Sequence, residues 1–195
     1  APKGTFTGPG ITDLGNGTAI FNPANAGSGG QISYTSSTNA KWLSISAGDS
    51  HSLGIKTDGT LWAWGSNDKG QLGDGTIVRN NNHSRVGGTA TYISMDCGYY
   101  NIHAVKSDGT LWSWGRGNYG QLGNNTQNID SLIPIQIGTD TDWVKVKAGN
   151  ALVIAQKSNG TLWGWGRGDY GQTGSGAFIN VKVPTQIGTA TDWIS

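Results

Sequence analysis

The octapeptide Asp58-Gly59-Thr60-Leu61-Trp62-Ala63-Trp64-Gly65 returns almost unchanged as Asp108 to Gly115 and as Asn159 to Gly166. The step is 50 residues from Asp58 to Asp108 and 51 from Asp108 to Asn159. A self-similar unit of that length belongs to a propeller or a solenoid, in which each unit borrows part of its core from its neighbours. Asp-Gly or Asn-Gly between two alternating apolar runs predicts a tight β-hairpin, because these residues tolerate the positive φ that such a turn demands. In the strand that follows, alternation places Leu61 and Ala63 on one face and Trp62 and Trp64 on the other. Neither face suits water, so each small sheet has to be covered on both sides. Blades packed face to face satisfy this, and the small middle residue (Ala63, Ser113, Gly164) leaves room for bulk from an adjacent blade.

An opening aromatic marks each repeat: Trp42, Tyr92, Trp143 and, at the end, Trp193. It leads into an alternating strand (Leu43 to Ala47 in the first copy), a glycine (Gly48, Gly98, Gly149) and the incoming hairpin strand, His51 to Lys56 and its counterparts. After the hairpin come Gly70-Gln71-Leu72-Gly73, Gly120-Gln121-Leu122-Gly123 and Gly171-Gln172-Thr173-Gly174. Paired glycines at that spacing fit a loop whose backbone passes close to a neighbouring unit. A last strand follows, with Pro134 and Pro184 at its start where an edge tolerates a missing N–H. The expectation is an all-β chain of four-stranded antiparallel propeller blades over residues 42–91, 92–142 and 143–192, with a fourth repeat begun. All nine Trp fall at repeat-related positions and are read as blade core. Residues 1–41 do not repeat; they read as a Gly/Thr/Ser/Asn-rich arm or linker, with short strands within 11–21 and 31–35 and a connector at 26–30.

The pattern of opening aromatic, Ala-Gly, His51-Ser52, Asp-Gly-Thr-Leu-Trp-x-Trp-Gly, Gly-Gln-Leu-Gly and Pro-x-x-Ile resembles the regulator of chromosome condensation repeat family over residues 42–195. The resemblance implies blades that join a seven-bladed or otherwise closed ring, and a founding relative that exchanges nucleotide on the small GTPase Ran. Asn101 and Leu152 stand where the pattern has His51. Three repeats leave two apolar faces, which further blades, another copy of the chain or the N-terminal arm would have to cover.

Chemistry is sparse. Thirteen Lys and Arg against 12 Asp and Glu, with no basic run, argue against nucleic acid as a direct partner and against a membrane surface. No apolar stretch is long enough to predict membrane insertion. Asp49-Ser50-His51 holds the residue types of a nucleophilic triad, yet neighbours on a strand point to alternating faces, so no catalytic residue is assigned and the chain is read as non-enzymatic. His51, His83, His103 and Cys97 lack the spacing of zinc ligands, and Asp58, Asp68 and Asp74 are explained by turns, so no metal and no cofactor is expected. What varies on the repeated frame lies in loops: Tyr99 and Tyr100 in one, Arg116 and Tyr119 in a second, Arg167 and Tyr170 in a third. Tyr and Arg on rigidly held loops suit recognition of a protein or a glycan, although Tyr119 and Tyr170 also read as lids on the Trp core. The reading is a recognition or structural module displayed on a virion or extracellular surface, as a fibre, adhesin or decoration protein that binds a receptor. The alternative is a guanine-nucleotide exchange factor or a regulatory scaffold for a small GTPase.

Overall fold

The computed structural model describes residues 4–13, 19–21, 33–36 and 40–193. The chain divides into two compact units, Ala1–Lys41 and Trp42–Ser195. In the first, β1 (Gly4–Thr7) pairs antiparallel with β4 (Ser33–Ser36), and β2 (Ile11–Asp13) pairs with β3 (Ala19–Phe21). The expected strands within 11–21 and 31–35 are found here. The turn expected around Gly15 and the connector at 26–30 lie outside the described residues. Strand β1 was not foreseen, because Gly4-Thr5-Phe6-Thr7 offers a single large apolar side chain to any pattern.

The second unit consists of three four-stranded antiparallel sheets, each meandering in chain order. Blade 1 is β5 (Trp42–Ala47), β6 (His51–Lys56), β7 (Leu61–Gly65) and β8 (Asn80–Val86). Blade 2 is β9 (Tyr92–Cys97), β10 (Asn101–Lys106), β11 (Leu111–Gly115) and β12 (Ser131–Gln136). Blade 3 is β13 (Trp143–Ala148), β14 (Leu152–Lys157), β15 (Leu162–Gly166) and β16 (Val181–Gln186).

The octapeptide is conserved among the three blades for a local reason. Asp58 Oδ1 accepts from the Thr60 backbone N–H at 3.0 Å and from its hydroxyl at 2.7 Å, and Thr60 Oγ1 accepts from Trp62 Nε1 at 2.8 Å. The same chain of bonds links Asp108, Thr110 and Trp112, and again Asn159, Thr161 and Trp163. The turn thereby fixes the first Trp before any blade meets another.

Packing between blades follows one rule. Leu53, Ile55, Leu61, Ala63, Leu72 and Val86 of blade 1 lie against Tyr92, Met95, Ile102, Ala104 and Trp114 of blade 2 in one buried cluster. Val105, Leu111 and Ile137 of blade 2 meet Trp143, Val146, Val153, Ala155 and Trp165 of blade 3 in another. The Leu-x face of each blade thus receives the Trp face of the next. The Gly-Gln-x-Gly loop seals the contact: Trp114 Nε1 donates to the Gln71 carbonyl at 2.9 Å and Trp165 Nε1 to the Gln121 carbonyl at 2.8 Å. A Cβ on Gly73 would lie 2.9 Å from Trp114 Nε1, and one on Gly123 2.8 Å from Trp165 Nε1, so only glycine lets the loop come this close.

Candidate recognition surface at the loop end of the blades

Strands β6 and β7 pair with His51 opposite Gly65, so the turn before β6 and the loop after β7 leave the sheet at one end. The same holds for Asn101 with Gly115 and for Leu152 with Gly166. Backbone bonds tie turn to loop within each blade, from Ser66 N–H to Ser50 O, Arg116 N–H to Tyr100 O and Arg167 N–H to Ala151 O, at 2.8 to 2.9 Å. Between blades the turns are linked too, with Asp49 N–H on Tyr99 O at 3.3 Å and Tyr99 N–H on Asn150 O at 3.1 Å. Gly48, Gly98 and Gly149 line the open hollow beside these turns, together with Asp49, Tyr99 and Asn150. The loops of this end are therefore parts of the sheet framework and hold their side chains in fixed places.

All six candidate residues emerge at this end, in two groups. In the first, the Tyr99 and Tyr100 rings meet edge to face with centroids 4.5 Å apart, and the Arg116 guanidinium carbon stands 5.6 Å from the Tyr100 ring centre. The Asn118 side-chain oxygen accepts from Arg116 Nη2 and Nε at 2.8 and 3.1 Å, which spreads the guanidinium across the loop. In the second, Arg167 lies between two phenols, 5.2 Å from the Tyr119 ring centre and 5.7 Å from that of Tyr170. Asp169 grips Arg167 from the remaining side, with Nε and Nη2 donating to its carboxylate at 2.7 to 3.0 Å. That contact holds the Asp169 carboxyl below its usual range and the guanidinium above its own.

Tyr119 belongs to blade 2 and its arginine to blade 3. Sequence spacing pairs Arg116 with Tyr119, whereas packing of one blade on the next pairs Tyr119 with Arg167. Tyr99, Tyr119 and Tyr170 are exposed, Tyr170 at 78%. Tyr119 and Tyr170 stack on Arg167 and Tyr99 on the Tyr100 ring, and the buried Trp114 and Trp165 are closed over by the Gln71 and Gln121 loops instead. Arg167 is paired with Asp169, whereas Arg116 is held by the neutral Asn118 side chain, and each guanidinium places a tyrosine ring.

Sequence reading missed the outer part of this end. Val78, Ile129 and Ile179 occupy one equivalent place in the long loops after β7, β11 and β15, and all three are exposed, as is Phe178. The loops are pinned beside them: Asn67 Nδ2 donates to the Val78 carbonyl at 3.1 Å, while Gly117 N–H donates to the side chain of Asp130, next to Ile129, and Gly168 N–H to that of Asn180, next to Ile179. The available signal was an apolar residue recurring in an otherwise polar loop. Among the described residues no group of three or more His, Cys, Asp or Glu could hold a metal ion. Asp49, Ser50 and His51 form no relay: Ser50 donates to Asp49 at 2.9 Å, and the His51 ring is buried with both nitrogens unpartnered. Burial drives the His51 imidazole down to about 4.

Residues 58–104, 108–156 and 159–195 match the sequence profile of the regulator of chromosome condensation (RCC1) repeat, and 42–71 and 92–121 match a second profile of the same name. A 48-residue stretch is 48% identical to Protein RCC2 homolog of Xenopus laevis, covering 24% of this chain and 9% of that protein. A 45-residue stretch is 40% identical to the X-linked retinitis pigmentosa GTPase regulator homolog of Caenorhabditis elegans, covering 23% of this chain and 3% of the relative. The crystal structure of Prp20p from Saccharomyces cerevisiae, described together with its binding to Gsp1p and histones, superposes with a TM-score of 0.70. It is 21% identical, and the match covers 82% of this chain and 41% of that one, so it shows the shared fold. These relatives overturn the placement on a virion or extracellular surface, since they are RCC1-type regulators and Prp20p is described with histones, components of chromatin. Sparse charge and a Gly-, Thr-, Ser- and Asn-rich arm are compositional features and carry no address of their own. With its repeats matched over more than half its length and its blades superposing on Prp20p, the chain belongs to the regulator of chromosome condensation (RCC1) repeat family.

Proposed function

We propose that this chain is the protein-binding part of a regulator of the small-GTPase type, and that the loop end of blades 2 and 3 is the surface that engages the partner. The observation that carries this reading is the pair of Tyr–Arg stacks, Tyr99-Tyr100-Arg116 and Tyr119-Arg167-Tyr170, held by backbone bonds on a rigid frame. Rigid aromatic rings lose little entropy on binding, and Tyr and Arg are the side chains that dominate protein interfaces. The exposed Val78, Ile129 and Ile179 extend the same end with apolar area. Support for the GTPase class comes from the names of the relatives, a GTPase regulator homolog and a Gsp1p-binding propeller. The action expected of such a surface is binding, with any nucleotide exchange a consequence of how the bound GTPase is held.

The test is a binding and nucleotide-release assay with a panel of small GTPases, Gsp1p among them. Saturable binding that weakens about tenfold or more in Tyr100→Ala and in Arg167→Ala is the expected result. Unchanged affinity in both variants would remove this surface from the function. No binding to any GTPase of the panel would remove the class.

A further inference from the structure

The three hairpin turns differ at one residue, where blade 3 has Asn159 and the others have Asp58 and Asp108. Glycine at the next position is imposed by packing. Gly160 has φ +83°, and a Cβ on it would lie 2.0 Å from the Thr191 carbonyl oxygen in the linker that follows the blade. Gly109 repeats this, with φ +80° and the Thr141 oxygen 1.9 Å from such a Cβ. The residue before the glycine has to accept through Oδ1, which leaves Asp or Asn. Neighbouring charge accounts for the choice in blade 3. Lys157, at the head of this turn, already has Asp140 at 2.6 Å and Asp142 at 3.1 Å, whereas Thr89 and Thr91 occupy those two places before blade 2. A third carboxylate at position 159 would be repelled, and the neutral amide is not. The chain thereby carries Asn-Gly in an exposed turn, the pairing in which no side chain shields the following backbone nitrogen from the Asn side chain.

We propose that Asn159 is a deamidation site governed by this turn, inert while the turn is closed and converted when it opens. In the reaction the Gly160 backbone nitrogen attacks Asn159 Cγ and closes a succinimide ring. The side-chain nitrogen leaves as ammonia, taking the proton that Gly160 loses. Water then adds to one of the two imide carbonyls and opens the ring to Asp or to isoaspartate, so water is the only co-reactant. The closed turn withholds both groups that have to meet. Gly160 N–H donates to Lys157 O at 2.9 Å, and Asn159 Oδ1 accepts from the Thr161 N–H at 3.1 Å and from its hydroxyl at 2.7 Å. The two products have different consequences. Asp at 159 can make the bonds that Asp58 and Asp108 make, and it adds a negative charge beside Lys157. Isoaspartate lengthens the main chain by one carbon and cannot reproduce the turn.

The experiment incubates the full chain and a peptide of residues 152–170 side by side at mildly alkaline pH, in water enriched in heavy oxygen, and follows position 159 by mass spectrometry. The peptide is expected to convert at Asn159 and the folded chain to do so at least about tenfold more slowly, because only the opened turn reacts. Urea sufficient to unfold the chain should bring it to the rate of the peptide. Thr161→Val removes the hydroxyl clamp and is expected to speed conversion at least about threefold, the worth of one hydrogen bond, while Thr161→Ser keeps the wild-type rate. Near-UV circular dichroism confirms that both variants are folded. A peptide that stays unconverted at Asn159 overturns the site. A folded chain that converts as fast as the peptide, an unfolded chain that stays as slow as the folded one, or a folded Thr161→Val no faster than wild type overturns control by the turn.

Discussion

The two inner junctions use one plan and fill it with different chemistry. At the first, Leu53 and Ala63 share a buried apolar cluster with Trp114. At the second the same two positions hold His103 and Ser113, and the imidazole meets Trp165 edge to face at 6.1 Å. His103 is fully buried and bonded at both nitrogens, to the Asn101 amide at 2.7 Å and to Ser113 Oγ at 2.8 Å. With Nε2 accepting from the amide, Nδ1 carries the proton and donates to the serine. Burial drives this imidazole down to about 3 and keeps it neutral. The blade frame accepts a polar pair in its core on the condition that the pair satisfies itself, and the invariant parts are the Trp and the Gln carbonyl it bonds.

The comparison breaks most severely where the common part is removed. Trp165→Ala deletes a fully buried indole and orphans the Gln121 carbonyl, and unfolding by denaturant is expected to show a loss of about 3–5 kcal/mol. Trp114→Ala should cost a similar amount; a loss confined to one of them would show that the junctions do not share a plan.

His103→Leu alone copies one residue of the first junction into the second and strands Ser113 Oγ and the Asn101 amide. A cost of about 1–3 kcal/mol for each stranded group is expected, again from denaturant unfolding. Adding Ser113→Ala completes the Leu53–Ala63 pair and should recover part of that loss. A double variant no more stable than the single would mean that the polar pair is irreplaceable in its setting.

Acid provides a finer probe of the same difference. With His103 lowered to about 3 in the folded chain and the unfolded imidazole near its ordinary 6.5, the unfolded state binds more protons between those values. Stability is therefore complete above about pH 6.5 and falls toward pH 3, by at most about 1.4 kcal/mol per pH unit for this group. The His103→Leu/Ser113→Ala variant should show a shallower fall in Tm, with the remaining slope carried in part by His51, lowered to about 4 by the same cause. Equal slopes in wild type and variant would contradict the burial of His103. At the smallest end, Tyr170→Ala changes only an exposed ring and is expected to shift stability by less than about 0.5 kcal/mol. A larger loss on denaturant unfolding would make Tyr170 a lid of the core after all.

By itself the sequence determined the blade. The Asp-Gly-Thr-Leu-Trp motif is closed by bonds among residues two apart, so its turn, its strand and its first Trp are local consequences of composition and spacing. Its apolar groups on both faces required blade-on-blade packing, and the paired glycines announced a close approach that proved to be against Trp114 and Trp165. Tertiary structure alone decided which face meets which, since period-two alternation separates two faces without ordering them. It also joined Tyr119 to Arg167 and His103 to Trp165 across blade boundaries. These partners lie about one repeat apart in the chain, and contacts at that separation are set by how neighbouring blades stack, which no residue pattern within one repeat encodes.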